Sequence, residues 1–377
     1  MAQNAQQWAE GPLAWRNWVA ANGGAVRNGG FEYGLYTDAL VEGDLSTGPY
    51  DWLNTLAGSA RPVVGNATPA VTLRVALHLT NEEFTSVDFD NPGTKDYLGG
   101  DIGDEMASLM SLALGRRMRS SGLTRRFEEG GDGRGIPFSP WHSVPSLAAP
   151  RPGTRSILPM IEEGVELEDA GLLLEIYPGI SVQKARALAR AARLYAQALW
   201  IADDDPAQAW LRLVSALEAA ASHWKAPKEP LDRLKAADPE LGELVEQAGD
   251  VAGPLAKKLA PVTKATAKLL DFTLTHLPPP PERRPAYGQV EWGTMEKALR
   301  TIYKHRSLDL HEGTPFPGPL CEVPQRDGDG VEMETVHSLG VAGQGGVWTE
   351  DDLPLQLHTF AYVAGGALRT WWQRLGA

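Results

Sequence analysis

The stretch YKHRSLDLHEGTPFP, residues 303–317, sets an arginine and a histidine five residues apart, just before a glycine and two prolines. Arg306 carries a planar fork of donors that suits phosphate. His311 falls in the last turn of a predicted helix, where the orphan carbonyls favour a cation, and an imidazole is the side chain that titrates near neutral pH. A cation beside a titratable imidazole is what metal-free RNA cleavage needs. The ribose 2′-hydroxyl attacks the adjacent phosphorus, a base takes its proton or an acid protonates the leaving 5′-oxygen, and a cation offsets the charge that builds in the transition state. Five residues of ideal helix turn through a net angle of about 140°. The two side chains therefore share a site only if the last turn is distorted or if two chains meet with this helix at a common cleft. The plainer reading of an isolated R-x-x-x-x-H is a solvated helix end.

The elements that must position this pair are helical. A helix is expected over 293–311, with Thr294 as its cap, Gly313 as a left-handed terminator and Pro315 barring continuation. Another starts after Ser181, and a third begins at Asp205 and Pro206. The third carries an apolar stripe of Trp210, Val214, Leu217, Ala221 and Trp224, at spacings of four and three. Further helices are expected over 263–277 and 349–375, with a charged, Pro-dotted, partly helical excursion at about 225–262. Residues 181–377 thus read as an all-α bundle. Residues 151–180 read as a linker, and residues 1–150 as a small α+β domain for recognition or sensing. In the latter, VTLRVALHLT (71–80) alternates as a half-buried strand does. Residues 100–122 read as a helix capped by Asp101 or Asp104.

The helical part resembles a HEPN domain of the Apea-like group. Three pieces in order carry the resemblance: AWLRLVSALEAAASHW with Glu218, LDFTLTHLPPPPERRP, and IYKHRSLDLHEG, which matches the family's tyrosine plus R-x(4–6)-H signature as Tyr303, Arg306 and His311. The resemblance implies a dimeric, metal-independent endoribonuclease of phage-defence or toxin systems, with Arg306 and His311 as the catalytic pair and no cofactor. Read from its place beside the apolar stripe, Glu218 is either an acidic partner that orients Arg306 or His311 or a boundary glutamate of an amphipathic helix, and Tyr303, one turn before Arg306, is either a phosphate or base contact or a core aromatic. Ser307 stands where the family often carries Asn, Asp or His, as a shorter supporting group. An RNA substrate, a homodimer partner and a protein trigger or antitoxin are the implied partners. The rival reading is a non-catalytic HEPN dimerisation or scaffold module that binds a partner or RNA.

Composition narrows the field. A net charge of −13 over 377 residues argues against a general duplex-DNA binder, because phosphate neutralisation supplies most of that affinity. The clear basic cluster is GRRMRSSGLTRRF. Its arginines Arg116, Arg117, Arg119, Arg125 and Arg126 are candidate contacts for RNA or a partner, or else cations that decorate a helix C-terminus. The single cysteine, Cys321, allows no internal disulfide and no cysteine metal cage. The scattered histidines show no metal spacing. The N-terminus lacks the pattern of a secretory signal, and no apolar run is long enough to span a membrane, so a cytoplasmic protein is expected.

Overall fold

The computed structural model describes residues 11–55, 67–80, 97–138, 144–150, 155–159, 164–224, 229–237, 239–336, 340–343 and 345–376. The chain divides into two compact units, Met1–Arg212 with Arg369–Ala377, and Leu213–Leu368. A mixed helix-and-sheet N-terminal region is followed by a helical C-terminal part, as the sequence leads one to expect.

In the first unit, helix α1 (Leu13–Asn22) precedes a six-stranded sheet built from β1 (Gly30–Thr37), β3 (Leu45–Thr47), β4 (Tyr50–Asn54), β5 (Thr68–Ala76), β6 (Arg119–Phe127) and β7 (Ile136–Pro137). The strand order is β3-β4-β5-β1-β6-β7 and every pair is antiparallel. The short β2 (Val41–Glu42) pairs separately with β8 (Val165–Glu166). On β5 the expected alternation holds: Val71, Leu73 and Val75 are buried while Arg74 is exposed. These residues join Tyr33, Leu35, Tyr50 and Trp52 in the core.

Helix α2 (Ile102–Leu114) begins with a reciprocal cap. Asp101 accepts from the Asp104 amide at 3.1 Å, and Asp104 accepts from the Asp101 amide at 3.1 Å. Its approach to the sheet requires a glycine, because a Cβ on Gly103 would stand 2.4 Å from the Tyr33 ring. The helix is shorter than the 100–122 expected. Gly115 takes φ 65° and closes it, and Arg119–Phe127 is strand β6. A glycine adopts that left-handed conformation without a Cβ clash, so the arginine-rich run returns as a strand beside β1.

The short α3 (Gly171–Ile176) is followed by α4 (Val182–Ile201), which packs against α2 through an alanine-rich buried face that includes Ala185, Ala189, Ala192 and Ala196. The sequence reading groups α4 with the helical half, whereas in the structure it lies in the first unit, where its small side chains admit close packing on α2.

Helix α5 (Pro206–Ala221) starts as expected, with the Gln208 amide donating to Asp205 Oδ1 at 2.9 Å. From Leu213 it belongs to the second unit, with α6 (Pro230–Ala237), α7 (Pro239–Glu246), α8 (Ala252–Thr275), α9 (Met295–Glu312) and α10 (Leu357–Leu375) up to Leu368. The excursion at 225–262 thus carries α6, α7 and the start of α8. Leu234, Val245, Ala252 and Ala256 enclose a small core there. Helix α8 begins well before the expected 263. Two short strands, β9 (Gly340–Gly343) and β10 (Gly346–Thr349), pair ahead of α10. Among the described residues, no helix is long and apolar enough to cross a membrane.

Candidate functional site

Helix α9 presents one apolar face through Met295, Leu299 and Ile302, all buried. Its polar end stops where the sequence places the stop. Gly313 adopts φ 67°, its amide donates to the Asp309 carbonyl at 3.1 Å, and the Thr314 amide closes back on Leu308 at 3.3 Å. The helix stays regular through Glu312, so Arg306 and His311 project from one chain about 140° apart. The distorted last turn that could have joined them is absent. His311 is exposed and makes no hydrogen bond with a described residue.

Glu218, on α5, organises the other half of the constellation. Arg306 Nη2 donates to Glu218 Oε2 at 2.7 Å, and the Tyr303 hydroxyl donates to Glu218 Oε1 at 3.2 Å. Arg306 Cζ also lies 5.4 Å from the Tyr303 ring centroid, within cation–π range. The Arg306 and Glu218 side chains are 18% and 23% exposed, so the pair is partly withdrawn from water. Burial, followed by the Glu218 charge, pushes the Tyr303 hydroxyl above its ordinary value, which keeps it a neutral donor at physiological pH. Among the described residues, Arg306 Nε is buried without an acceptor, and the guanidinium's one ion pair runs through Nη2, leaving Nη1 without a hydrogen bond. Of the two side chains that the sequence reading offers Glu218, Arg306 or His311, the carboxylate contacts Arg306. Glu218 makes no hydrogen bond with His311.

The neighbouring side chains divide between surface and core. Ser307 is half-buried and makes no hydrogen bond with a described residue, and Lys304 is exposed. His305 is buried at 9% exposure, with its Nε2–H donating to the Asp352 carbonyl at 2.9 Å and its ring against Phe316. Burial holds its imidazole below the usual histidine range. His305 is therefore a structural histidine.

The arginine cluster does not form one basic patch. Arg117 is 3% exposed, and its guanidinium is consumed inside the first unit. Nη1 donates to Asp38 at 2.7 Å, Nη2 to Asp203 at 2.6 Å and Nε to the Leu199 carbonyl at 2.6 Å. It cannot serve as the RNA or partner contact expected of it. Arg116 is half-buried. Arg119 is exposed and lies over the Trp200 ring. Arg125 faces Glu32 across the strands, and Arg126 pairs with Glu128 at 2.7 Å. The strand conformation that replaces the expected helix is what separates these side chains.

Among the described residues, no three His, Cys, Asp or Glu side chains converge as a metal site would require. No protein-family model, curated protein or solved structure matches the chain.

Proposed function

We propose that this chain is a metal-independent endoribonuclease of HEPN type that acts as a homodimer in phage defence or a toxin system. The observation that carries the reading is the Glu218 clamp. One carboxylate fixes both Tyr303 and Arg306, and it leaves Arg306 Nη1 without a partner among the described residues, at the side of a helix that ends in the exposed His311. A guanidinium held this way meets a phosphate with little ordering cost. His311 takes the proton of the ribose 2′-hydroxyl or protonates the departing 5′-oxygen. The new bond joins the 2′-oxygen to phosphorus and the broken bond is P–O5′, so the products are a 2′,3′-cyclic phosphate and a 5′-hydroxyl. Because the pair diverges on one helix, the reaction needs two copies of α9 at a shared cleft, with Arg306 of one copy facing His311 of the other.

The same divergence, with Arg306 already in an ion pair, favours a second reading: a non-catalytic HEPN module that dimerises and presents a partner surface. The two are separated by incubating tRNA and total RNA in EDTA with the wild-type protein, Arg306→Ala and His311→Ala, each variant checked for its thermal midpoint. Cleavage by wild type and its loss in both folded variants supports the nuclease. Dimerisation without cleavage supports the module.

A further inference from the structure

The first unit holds a cavity of about 390 Å³, bounded by the start of α2 and the residues before it, the start of β6, one face of α4 and Arg212 of α5. That volume suits a small molecule, whose sites span about 300–1,000 Å³. Three arginines line it: Arg119, Arg193 and Arg212.

Among the described residues, two of them lack a counter-charge. Desolvation, and after it the Arg212 charge, holds the Arg193 guanidinium below its ordinary value, so the two cations oppose one another. Arg212 Nη1 donates at 2.7 Å to Gln197 Oε1, a neutral acceptor. Among the described residues neither arginine is in an ion pair, and both Nε–H groups are buried without an acceptor.

The carboxylates of the cavity wall are engaged elsewhere. Glu105 accepts from the Leu13 and Ala14 amides at 3.0 and 2.7 Å. Asp104 closes the α2 cap, and the Arg119 charge already offsets it. Arg119 itself lies 5.8 Å from the Trp200 ring centroid. Among the described residues, the residual charge of the cavity is therefore the two cations Arg193 and Arg212.

We propose that this cavity binds a small phosphorylated molecule whose phosphate monoester bridges Arg193 and Arg212. Such a group carries a charge of about −1.5 to −2 near neutral pH and offers three acceptor oxygens. It balances two guanidinia, whereas a single carboxylate balances one. Gln197, Ser108 and Ser120 supply the polar wall for the rest of the ligand. The site is distinct from the Glu218–Arg306 constellation and does not depend on that reading.

Calorimetric titration of the full chain with inorganic phosphate, AMP and adenosine tests the assignment. The expected result is binding of phosphate or AMP but not of adenosine alone, weakened at least tenfold in both Arg193→Met and Arg212→Met. Binding of phosphate without AMP, lost in the same variants, supports the dianion clamp and excludes an adenosine body. The thermal midpoint without ligand provides an independent check. Each methionine variant should hold or raise it, because removing one of two opposed cations relieves repulsion. No binding of either phosphate compound at millimolar concentration overturns the proposal, as does binding that both variants retain. So does a fall in both ligand-free midpoints, which would show the arginines to be structural.

Discussion

Replacing Arg117 with methionine should cost the first unit about 3–5 kcal/mol. The guanidinium is 3% exposed, and its two partners, Asp38 and Asp203, are 0% and 3% exposed. The variant keeps much of the apolar stem but strands both carboxylates without their cation. Breaking a buried pair from one side costs about that much, because the remaining charge stays buried and uncompensated. The Leu199 carbonyl loses a 2.6 Å charge-assisted bond as well. The two aspartates differ in what remains to them. Asp203 still accepts from Ser156 Oγ at 2.8 Å and from the Ile157 amide at 2.7 Å, whereas Asp38 Oδ1 has no partner among the described residues even in the wild type. The larger share of the cost therefore falls on Asp38. At about 2–4 °C per kcal/mol for a unit of this size, the thermal midpoint should drop by about 10 °C. Urea denaturation of Arg117→Met beside Arg117→Met/Asp38→Asn/Asp203→Asn measures it, and the triple variant should recover more than half of the loss. A loss below about 1 kcal/mol in the single variant, or no recovery in the triple, would show that the buried ion pairs do not carry this stability. The same experiment guards the functional reading, since any loss of RNA binding in Arg117 variants should follow unfolding.

Glu218→Gln should cost about 1 kcal/mol of stability, since the pair is partly exposed and exposed pairs contribute about 0.2–1 kcal/mol. It should lower cleavage by more than that stability loss explains, measured as kcat against KM. Glu105 gives a pH signature. Burial pushes its carboxyl up to about 8, against the two amides that favour its charge, so the folded state binds this proton more tightly than the unfolded chain does. That contribution to stability is complete below about pH 4.5 and is lost as the pH rises towards 8, up to about 5 kcal/mol at about 1.4 kcal/mol per pKa unit. Denaturation midpoints from pH 4.5 to 8 should fall more steeply in the wild type than in Glu105→Gln. Equal slopes would count against the assignment.

The helix end at Gly313 was legible because its signals are local. A glycine after the last polar turn, followed by Pro315, leaves the chain no helical continuation, and the alternation at 71–76 is equally local. The fate of the arginine run was not legible. Gly115 could have been tolerated within a helix, and only pairing with β1 decides that residues 119–127 are a strand. Arg117 looked like a surface cation because its partners, Asp38 and Asp203, lie far away in sequence. The Glu218–Arg306 pairing is also long-range, and the sequence alone left Glu218 with Arg306, His311 or neither as its partner. The cavity was missed although a signal existed: Arg186, Arg190, Arg193, Gln197 and Trp200 recur at spacings of four and three along α4. A polar stripe on one helix face reads as solvated until another element, here Arg212, closes over it.

End-group analysis of the RNA fragments produced in EDTA by the wild type and by folded Arg306→Ala and His311→Ala decides whether this chain cleaves RNA through Arg306 and His311. The wild type should give 2′,3′-cyclic phosphate and 5′-hydroxyl ends, and each variant should lose at least about a hundredfold, as removal of a general acid–base group (His311) or of a donor to the developing charge (Arg306) gives. Fragments with 5′-phosphate ends, cleavage that persists in both variants, or no cleavage by the wild type would contradict that mechanism.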